Sequence, residues 1–216
     1  MKKIKLILFK LLSFCNFFAP KIFSKKIFCE FKYFFLQIYF YIRNEKKLPF
    51  RNLNYWDKGN YNRVALLNYV ASKMNFNLKY LEIGCDTNIV FNSLPISMIN
   101  KYGVDPYRGG NIRKTSDEFF STNNLYFDLI FIDGLHGYEQ CQKDIINSLK
   151  FLNKNGIIFI HDLIPVNWKT EHVPRLFDQW NGDIWKVIFE LMISENILFN
   201  VIDFDNGIGF LRKKNE

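Results

Sequence analysis

The sequence predicts an α/β fold built on a mostly parallel sheet, and three observations carry that reading. The runs "LKYLEIG" (78–84), "YGVDP" (102–106), "YFDLIFID" (126–133) and "NGIIFIHD" (155–162) are short and largely apolar, and each ends in glycine, Asp-Pro or a charged residue. Segments of helical spacing separate them. Continuous apolar strands that alternate with helices belong to a parallel sheet covered on both faces. The last run, "LFNVIDFDNGIGFLR", reads as two strands joined at Asp205-Asn206-Gly207, which adds an antiparallel edge.

Each element has its own warrant. "LPFRNLNYWDKGNYN" (48–62) reads as a loop or linker. "RVALLNYVASKM" spaces Val64, Leu66, Leu67, Val70 and Met74 along one helical face. Pro95 limits any helix before "SMINKY", and "TSDEFF" reads as an N-capped turn of helix. "YEQCQKDIINSLKFL" places Cys141, Ile145, Leu149 and Leu152 on one stripe, with Asn155-Gly156 as the expected helix stop. "DIWKVIFELM" is helical.

The charge is unevenly distributed. The chain has 216 residues, enough for one domain with a sizeable core and an appendage. Its net charge is +8, yet residues 1–47 hold eleven Lys/Arg against two Asp/Glu, and residues 48–216 hold eighteen against nineteen. The basic character therefore belongs to a segment, 1–47, set apart from a main domain, 48–216. That argues against nucleic acid as the main domain's partner, because phosphate binding needs basic groups on the binding surface itself.

The 1–47 segment is rich in Phe and Tyr and reads as two helices broken near Pro20. Its run "YFFLQIYFYI" is too short to span a bilayer, where about twenty apolar residues are needed. Three readings stand: a helical segment lying in a membrane interface, a cap packed on the main domain, or an uncleaved signal-anchor. The four cysteines form no CxxC pair and no zinc spacing, which fits a reducing, cytoplasmic setting, with peripheral attachment to the inner membrane face as its variant.

In a parallel sheet, ligands bind off the carboxyl ends of the strands, so the polar residues there are the informative ones. Gly84 lets a ligand approach the backbone closely. Asn88 stands where a later motif glycine is expected, and asparagine tolerates the left-handed conformation such a turn needs. Asp105 follows Gly84 by 21 residues, the range at which an acidic residue holds a ribose diol; the alternative is a turn residue before Pro106. Asp133 and His136 leave one strand end, and His161 and Asp162 leave the next. Together they could hold a divalent cation, with His136 taking a proton from a substrate hydroxyl. Alternatively, His161 is a satisfied core histidine and Asp162 a helix cap.

The motifs "YLEIGCDTN", "GVDPYRGG", "TSDEFF", "FDLIFIDGLHGYEQ", "NGIIFIHDLIP" and "WNGDIWK" resemble, in order, those of class I S-adenosylmethionine-dependent methyltransferases. The likeness is to the branch of macrocin-type sugar O-methyltransferases and cephalosporin-hydroxylase-like proteins. It implies a Rossmann-like class I methyltransferase fold for the main domain and S-adenosylmethionine as donor. It further implies that Glu82 and Gly84 border the donor's amino-acid part, that Asp105 holds the ribose hydroxyls, and that Ser116 and Asp117 lie by the adenine. Asp133 would be a metal ligand and His136 the general base. In macrocin-type enzymes an acidic pair ends the next strand and ligates magnesium; here that pair is His161 and Asp162, so the implied ligands of Mg2+ or a similar ion are Asp133, His161 and Asp162. Histidine suits softer metals better than magnesium. No secure role attaches to "WNGDIWK", where Asp183 reads equally as a helix N-cap or a substrate contact.

The implied reaction is O-methylation of a sugar or other small hydroxylated acceptor, as in surface-glycan biosynthesis. Two other classes stand beside it: a membrane-attached binding protein that keeps the fold without catalysis, and an RNA methyltransferase using the basic segment for phosphate contact. Base N-methyltransferases often carry an Asp/Asn-Pro-Pro-aromatic run where this chain reads "IDGLH".

Overall fold

The computed structural model describes residues 61–75, 77–175 and 178–214. The expected 1–47 segment and its boundary fall outside the described residues. The helices and strands are α1 (Arg63–Lys73), β1 (Tyr80–Ile83), α2 (Ile89–Ser93), β2 (Lys101–Val104), α3 (Ser116–Thr122), β3 (Phe127–Ile132), α4 (Tyr138–Lys150), β4 (Leu152–Ile160), α5 (Trp168–Glu171), α6 (Val187–Ile193), β5 (Ile197–Ile202) and β6 (Ile208–Lys213).

The six strands form one sheet in the order β2-β1-β3-β4-β6-β5. β2, β1, β3 and β4 are parallel, while β6 runs antiparallel to both β4 and β5. This is the Rossmann-like methyltransferase architecture expected from the sequence. The hairpin forms the antiparallel edge, with β6 one strand in from the margin. The chain steps from β1 to one side for β2 and to the other for β3, so a topological switch point lies between the carboxyl ends of β1 and β3.

Strand periodicity sorts the core onto two faces. Leu81, Ile83, Ile130, Ile132, Ile158 and Ile160 pack on one side with Cys141 and Ile145 of α4. Tyr80, Leu129, Phe131 and Phe159 pack on the other with Leu67 and Ala71 of α1. Each such large side chain contributes about 1.5–3 kcal/mol of burial, which is why the central strands tolerate almost no polar residue.

Local signals explain most boundaries. Asn62 caps α1 by accepting from the Ala65 N–H. Thr115 and Glu118 form a reciprocal capping box on α3. One boundary differs from expectation: α4 ends at Lys150 with Phe151 as its cap, and Asn155-Gly156 lies inside β4 rather than stopping the helix. There β4 advances from Leu152 to Ile157 while β3 advances only from Phe127 to Leu129. A side chain at Gly156 would meet Leu152 at 2.6 Å, so glycine serves the packing of this irregular stretch.

Candidate active site

The switch point is built by close backbone approach. Gly84 has φ +83°, and a Cβ there would lie 2.2 Å from the Asp133 carbonyl oxygen. Only glycine lets the ends of β1 and β3 meet in this way. Asn88 adopts φ +63°, the left-handed conformation anticipated for it. Its Oδ1 accepts from the Gly110 N–H, tying the loop after β2 to the turn after β1.

Asp105 ends β2 as a staple for both loops. One carboxylate oxygen accepts from the N–H groups of Cys85 and Asp86, the other from those of Tyr107 and Arg108. Burial would raise its pKa, but these N–H donors outweigh that and hold it below the usual carboxylate value. A carboxylate offers about four lone-pair sites, so this one is fully engaged by its own chain. Both readings made of Asp105 meet here, because it is a turn residue at the place expected of a ribose ligand.

The ends of β3 and β4 bring the remaining candidates together. His136 Nδ1 lies 2.7 Å from the Trp180 carbonyl oxygen. That acceptor requires Nδ1 to carry the hydrogen, which leaves Nε2 directed at two carboxylates: Asp133 Oδ1 at 3.6 Å and Asp162 Oδ2 at 3.4 Å. Burial would lower the His136 pKa, but Asp133 and Asp162 outweigh it and raise it above the ordinary value. Asp162 has φ +62°, unusual for a residue other than glycine, and its Oδ1 accepts from Asn181 Nδ2 at 2.7 Å. It caps no helix; Asn167 caps α5.

His161 is 4% exposed and lies behind this pair. Its Nδ1 faces Asp133 Oδ1 at 3.2 Å and Asp162 Oδ2 at 3.4 Å. Its Nε2 lies 3.6 Å from Asp205 Oδ1 and 3.4 Å from Arg63 Nη1. Burial disfavours the charged ring, yet the three carboxylates reverse that and raise its pKa to about 11. Arg63 ion-pairs with Asp205 at 3.2 Å and sets its Nε 3.6 Å from Asp133 Oδ2. Asp133 is held well below the carboxylate range: burial alone would raise it, but the neighbouring His136 and His161 rings and the charge of Arg63 prevail.

Sequence reasoning missed Arg63, Asp205, Trp180 and Asn181. The signal for Asp205 was available, since a turn joining β5 to an antiparallel β6 must lie at the end where the parallel strands finish. The "WNGD" motif also acquires a role. Trp180 orients His136 through its carbonyl and stacks its ring at 5.4 Å. Asn181 holds Asp162, and a Cβ on Gly182 would lie 1.7 Å from the His136 carbonyl oxygen. Asp183 stands at the N-cap position of a short 3-10 turn, Ile184–Lys186, without capping it through its side chain: its Oδ1 accepts from the Tyr138 N–H, capping α4, and its Oδ2 pairs with Lys186.

Two expectations meet an unexpected local setting. Glu82, expected beside the donor's amino-acid part, is 1% exposed and accepts from the Tyr80 hydroxyl at 2.6 Å within the sheet face. The cause is strand parity, since Tyr80 and Glu82 point to the same covered side. In the expected ligand set of Asp133, His161 and Asp162, the histidine is turned to the two carboxylates. Nδ1 of His161 faces two carboxylates and therefore carries a hydrogen, so it has no lone pair for an ion between them. Asp133, His136 and Asp162 can bring one donor atom each within 4.8 Å of one another, but of the oxygens nearest His136, Asp133 Oδ1 accepts from His161 Nδ1 and Asp162 Oδ2 lies 3.4 Å from it. An ion on those oxygens would share their lone pairs with the His161 N–H and lie against the positive charge of Arg63. The guanidinium and the N–H, both turned toward these carboxylates, oppose a divalent ion there.

Ser116 and Asp117 open α3 and meet α4 rather than the cluster. Both accept from Gln140 Nε2 at 3.1 Å, and Gln140 also donates to the buried Asp144, whose pKa burial pushes up to about 6. Asp144 lies 3.9 Å from where a Gly134 Cβ would stand, so this group flanks the loop that leads to His136. Cys85 and Cys141 are free and buried. Among the described residues, no helix is long and apolar enough to cross a membrane.

Comparison with known proteins agrees with this fold. Residues 103–163 match a family model described as a methyltransferase domain. No curated protein matches the chain in sequence. A solved structure described as a caffeoyl-CoA O-methyltransferase from Staphylococcus aureus superposes with TM-score 0.53 at 14% identity, covering 85% of this chain and 100% of that one. The cofactor-bound Rv0187 protein from MTB superposes with TM-score 0.52 at 12% identity, covering 71% and 80%. One described as an O-methyltransferase from Klebsiella pneumoniae gives TM-score 0.50 at 14% identity, covering 70% and 78%. The chain therefore carries the methyltransferase fold.

Proposed function

We propose that this chain is an S-adenosylmethionine-dependent methyltransferase that methylates an oxygen of a small hydroxylated acceptor, with a sugar as the favoured class. The observation that carries the reading is the setting of His136. Its Nδ1–H is fixed on the Trp180 carbonyl oxygen, and its Nε2 stands at the carboxyl end of the sheet beside two carboxylates. The fold and the match of residues 103–163 to a methyltransferase domain support the class of reaction.

In the proposed transfer, an acceptor hydroxyl gives its proton to His136 Nε2. The oxygen's lone pair attacks the donor methyl carbon in line, and the carbon–sulfur bond breaks with its electrons passing to sulfur, giving S-adenosylhomocysteine. Charge explains why His136 accepts the proton. Asp133, Asp162 and Asp205 face Arg63 and the imidazolium of His161, which leaves one negative charge uncompensated. Protonating His136 completes the balance. Alignment of donor and acceptor supplies most of the remaining acceleration.

His136→Ala should abolish methyl transfer to a panel of nucleotide sugars while calorimetry still records donor binding; full turnover in that variant would remove His136 as the base. The acceptor's glycan context, the cytoplasmic setting and attachment of 1–47 to a membrane surface belong to this proposal too. Co-flotation of the full chain with anionic liposomes tests the attachment, and recovery of all the protein in the liposome-free fraction would refute it.

A further inference from the structure

The cluster holds two nitrogen groups that the proposed base does not require for its own geometry, the His161 ring and the Arg63 guanidinium. His161 ends β4, where the resemblance leads one to expect a carboxylate that ligates metal. Arg63 opens α1, 70 residues before Asp133 in the chain, and points into the same cluster. Each carboxylate oxygen there faces a nitrogen of the chain, and Arg63 Nε, 3.6 Å from Asp133 Oδ2, makes no hydrogen bond. Asp133 Oδ1 and Asp162 Oδ2 face His161 Nδ1, Asp133 Oδ2 faces Arg63 Nε, Asp162 Oδ1 accepts from Asn181, and both Asp205 oxygens accept from Arg63. His161 sits among three carboxylates from three strand ends.

We propose that the His161 Nδ1–H and the Arg63 guanidinium take the place of a divalent ion, so that this site holds its carboxylates by donors of its own chain and binds no metal. The geometry supports this independently of how the ring titrates. With two carboxylates as neighbours, Nδ1 bears a hydrogen in either state of the ring, and Arg63 is charged at all accessible pH. A metal at Asp133 and Asp162 would share those oxygens with a buried N–H and face the guanidinium's charge. The arrangement also has a functional use. An ion would hold the acceptor oxygen by coordination, whereas this cluster leaves Nε2 of His136 as the group that meets it. That consequence rests on the function proposed above; the exclusion of metal does not.

The test is binding of Mn2+ to the full chain, read as loss of the free-ion electron paramagnetic resonance signal, with wild type, His161→Asp and His161→Asn compared. The wild type should leave the free-ion signal undiminished. His161→Asp removes the N–H and adds a carboxylate beside Asp133 and Asp162, and should raise Mn2+ affinity at least about tenfold, given the strength of charge interactions at such distances. His161→Asn, which removes the ring but keeps a small polar group, should gain less; it serves as the test if His161→Asp does not fold. Binding of one equivalent by the wild type would overturn the inference. So would a folded His161→Asp protein that gains nothing, because the ring would then not be what excludes the ion. Donor calorimetry on the same samples separates the two proposals. A wild type that binds neither S-adenosylmethionine nor Mn2+ sinks the transferase reading and leaves this one standing, and one that binds both does the reverse.

Discussion

Glu82→Gln should stabilise the protein at neutral and higher pH and leave donor affinity unchanged. Glu82 is 1% exposed and accepts from Tyr80. Burial raises its pKa from 4.5 to about 8, with Asp133 adding to the shift and Tyr80, Lys101 and Arg63 opposing it. Between those values the folded chain holds a proton that the unfolded chain has released. Stability therefore falls as pH rises, by about 1.36 kcal/mol per unit. By pH 7 the loss reaches about 3 kcal/mol. Glutamine cannot ionise, and its oxygen can still accept from Tyr80. Its amide hydrogens need partners, however, which returns about 1–2 kcal/mol of that gain. The net expectation is a gain of about 1–2 kcal/mol at pH 7, or about 3–6 °C in Tm for a domain of this size, shrinking to nothing between about pH 5 and pH 6. Denaturant unfolding of both proteins across this range is the assay. Parallel stability profiles for wild type and variant would refute the reasoning. A tenfold fall in S-adenosylmethionine affinity would instead restore Glu82 to the donor-contacting role that the sequence suggested.

Three further outcomes follow from the same geometry. Asp105→Ala leaves four backbone N–H groups without their acceptor and should cost about 2–4 kcal/mol, read as a lower Tm together with weaker donor binding; an unchanged Tm with lost affinity would make Asp105 a direct donor ligand rather than a loop staple. Gly182→Ala, at φ +69° and with no room beside the His136 carbonyl, should destabilise by about 2 kcal/mol or more and impair turnover, and wild-type Tm and rate would contradict that packing. The acid limb of kcat/KM should have its midpoint above 6.5, because Asp133 and Asp162 raise the His136 pKa against burial and the base acts only when neutral; a midpoint below 6.5 would remove His136 as the titrating group.

The parallel sheet was readable because a strand covered on both faces must be apolar throughout, and "LIFI" and "IIFI" satisfy that over their whole length. The same logic located Asp133, His136, His161 and Asp162, since the first polar residues after such strands stand at the sheet's carboxyl end. Spacing did not supply the direction in which each side chain points. Glu82 precedes the glycine by two positions and so turns into the core beside Tyr80. Asp105 lies where a ribose ligand is expected, but its oxygens are taken by N–H groups of the two loops it joins. His161 reads equally as a ligand or a satisfied histidine until Asp205 and Arg63, which are distant in sequence, are brought against it. Asn155-Gly156 carries a helix-stop composition, yet the helix had already ended, and the pair serves an irregular stretch of β4. "WNGD" could not be assigned because its work is done through a carbonyl, an amide and a missing Cβ, none of which shows in residue type alone.

The most direct test of the account is titration calorimetry of the full chain with S-adenosylmethionine in metal-free buffer. The account predicts one-to-one binding that persists in His136→Ala. No binding at donor concentrations of about 1 mM, where even an affinity of about −4 kcal/mol would register, would contradict it.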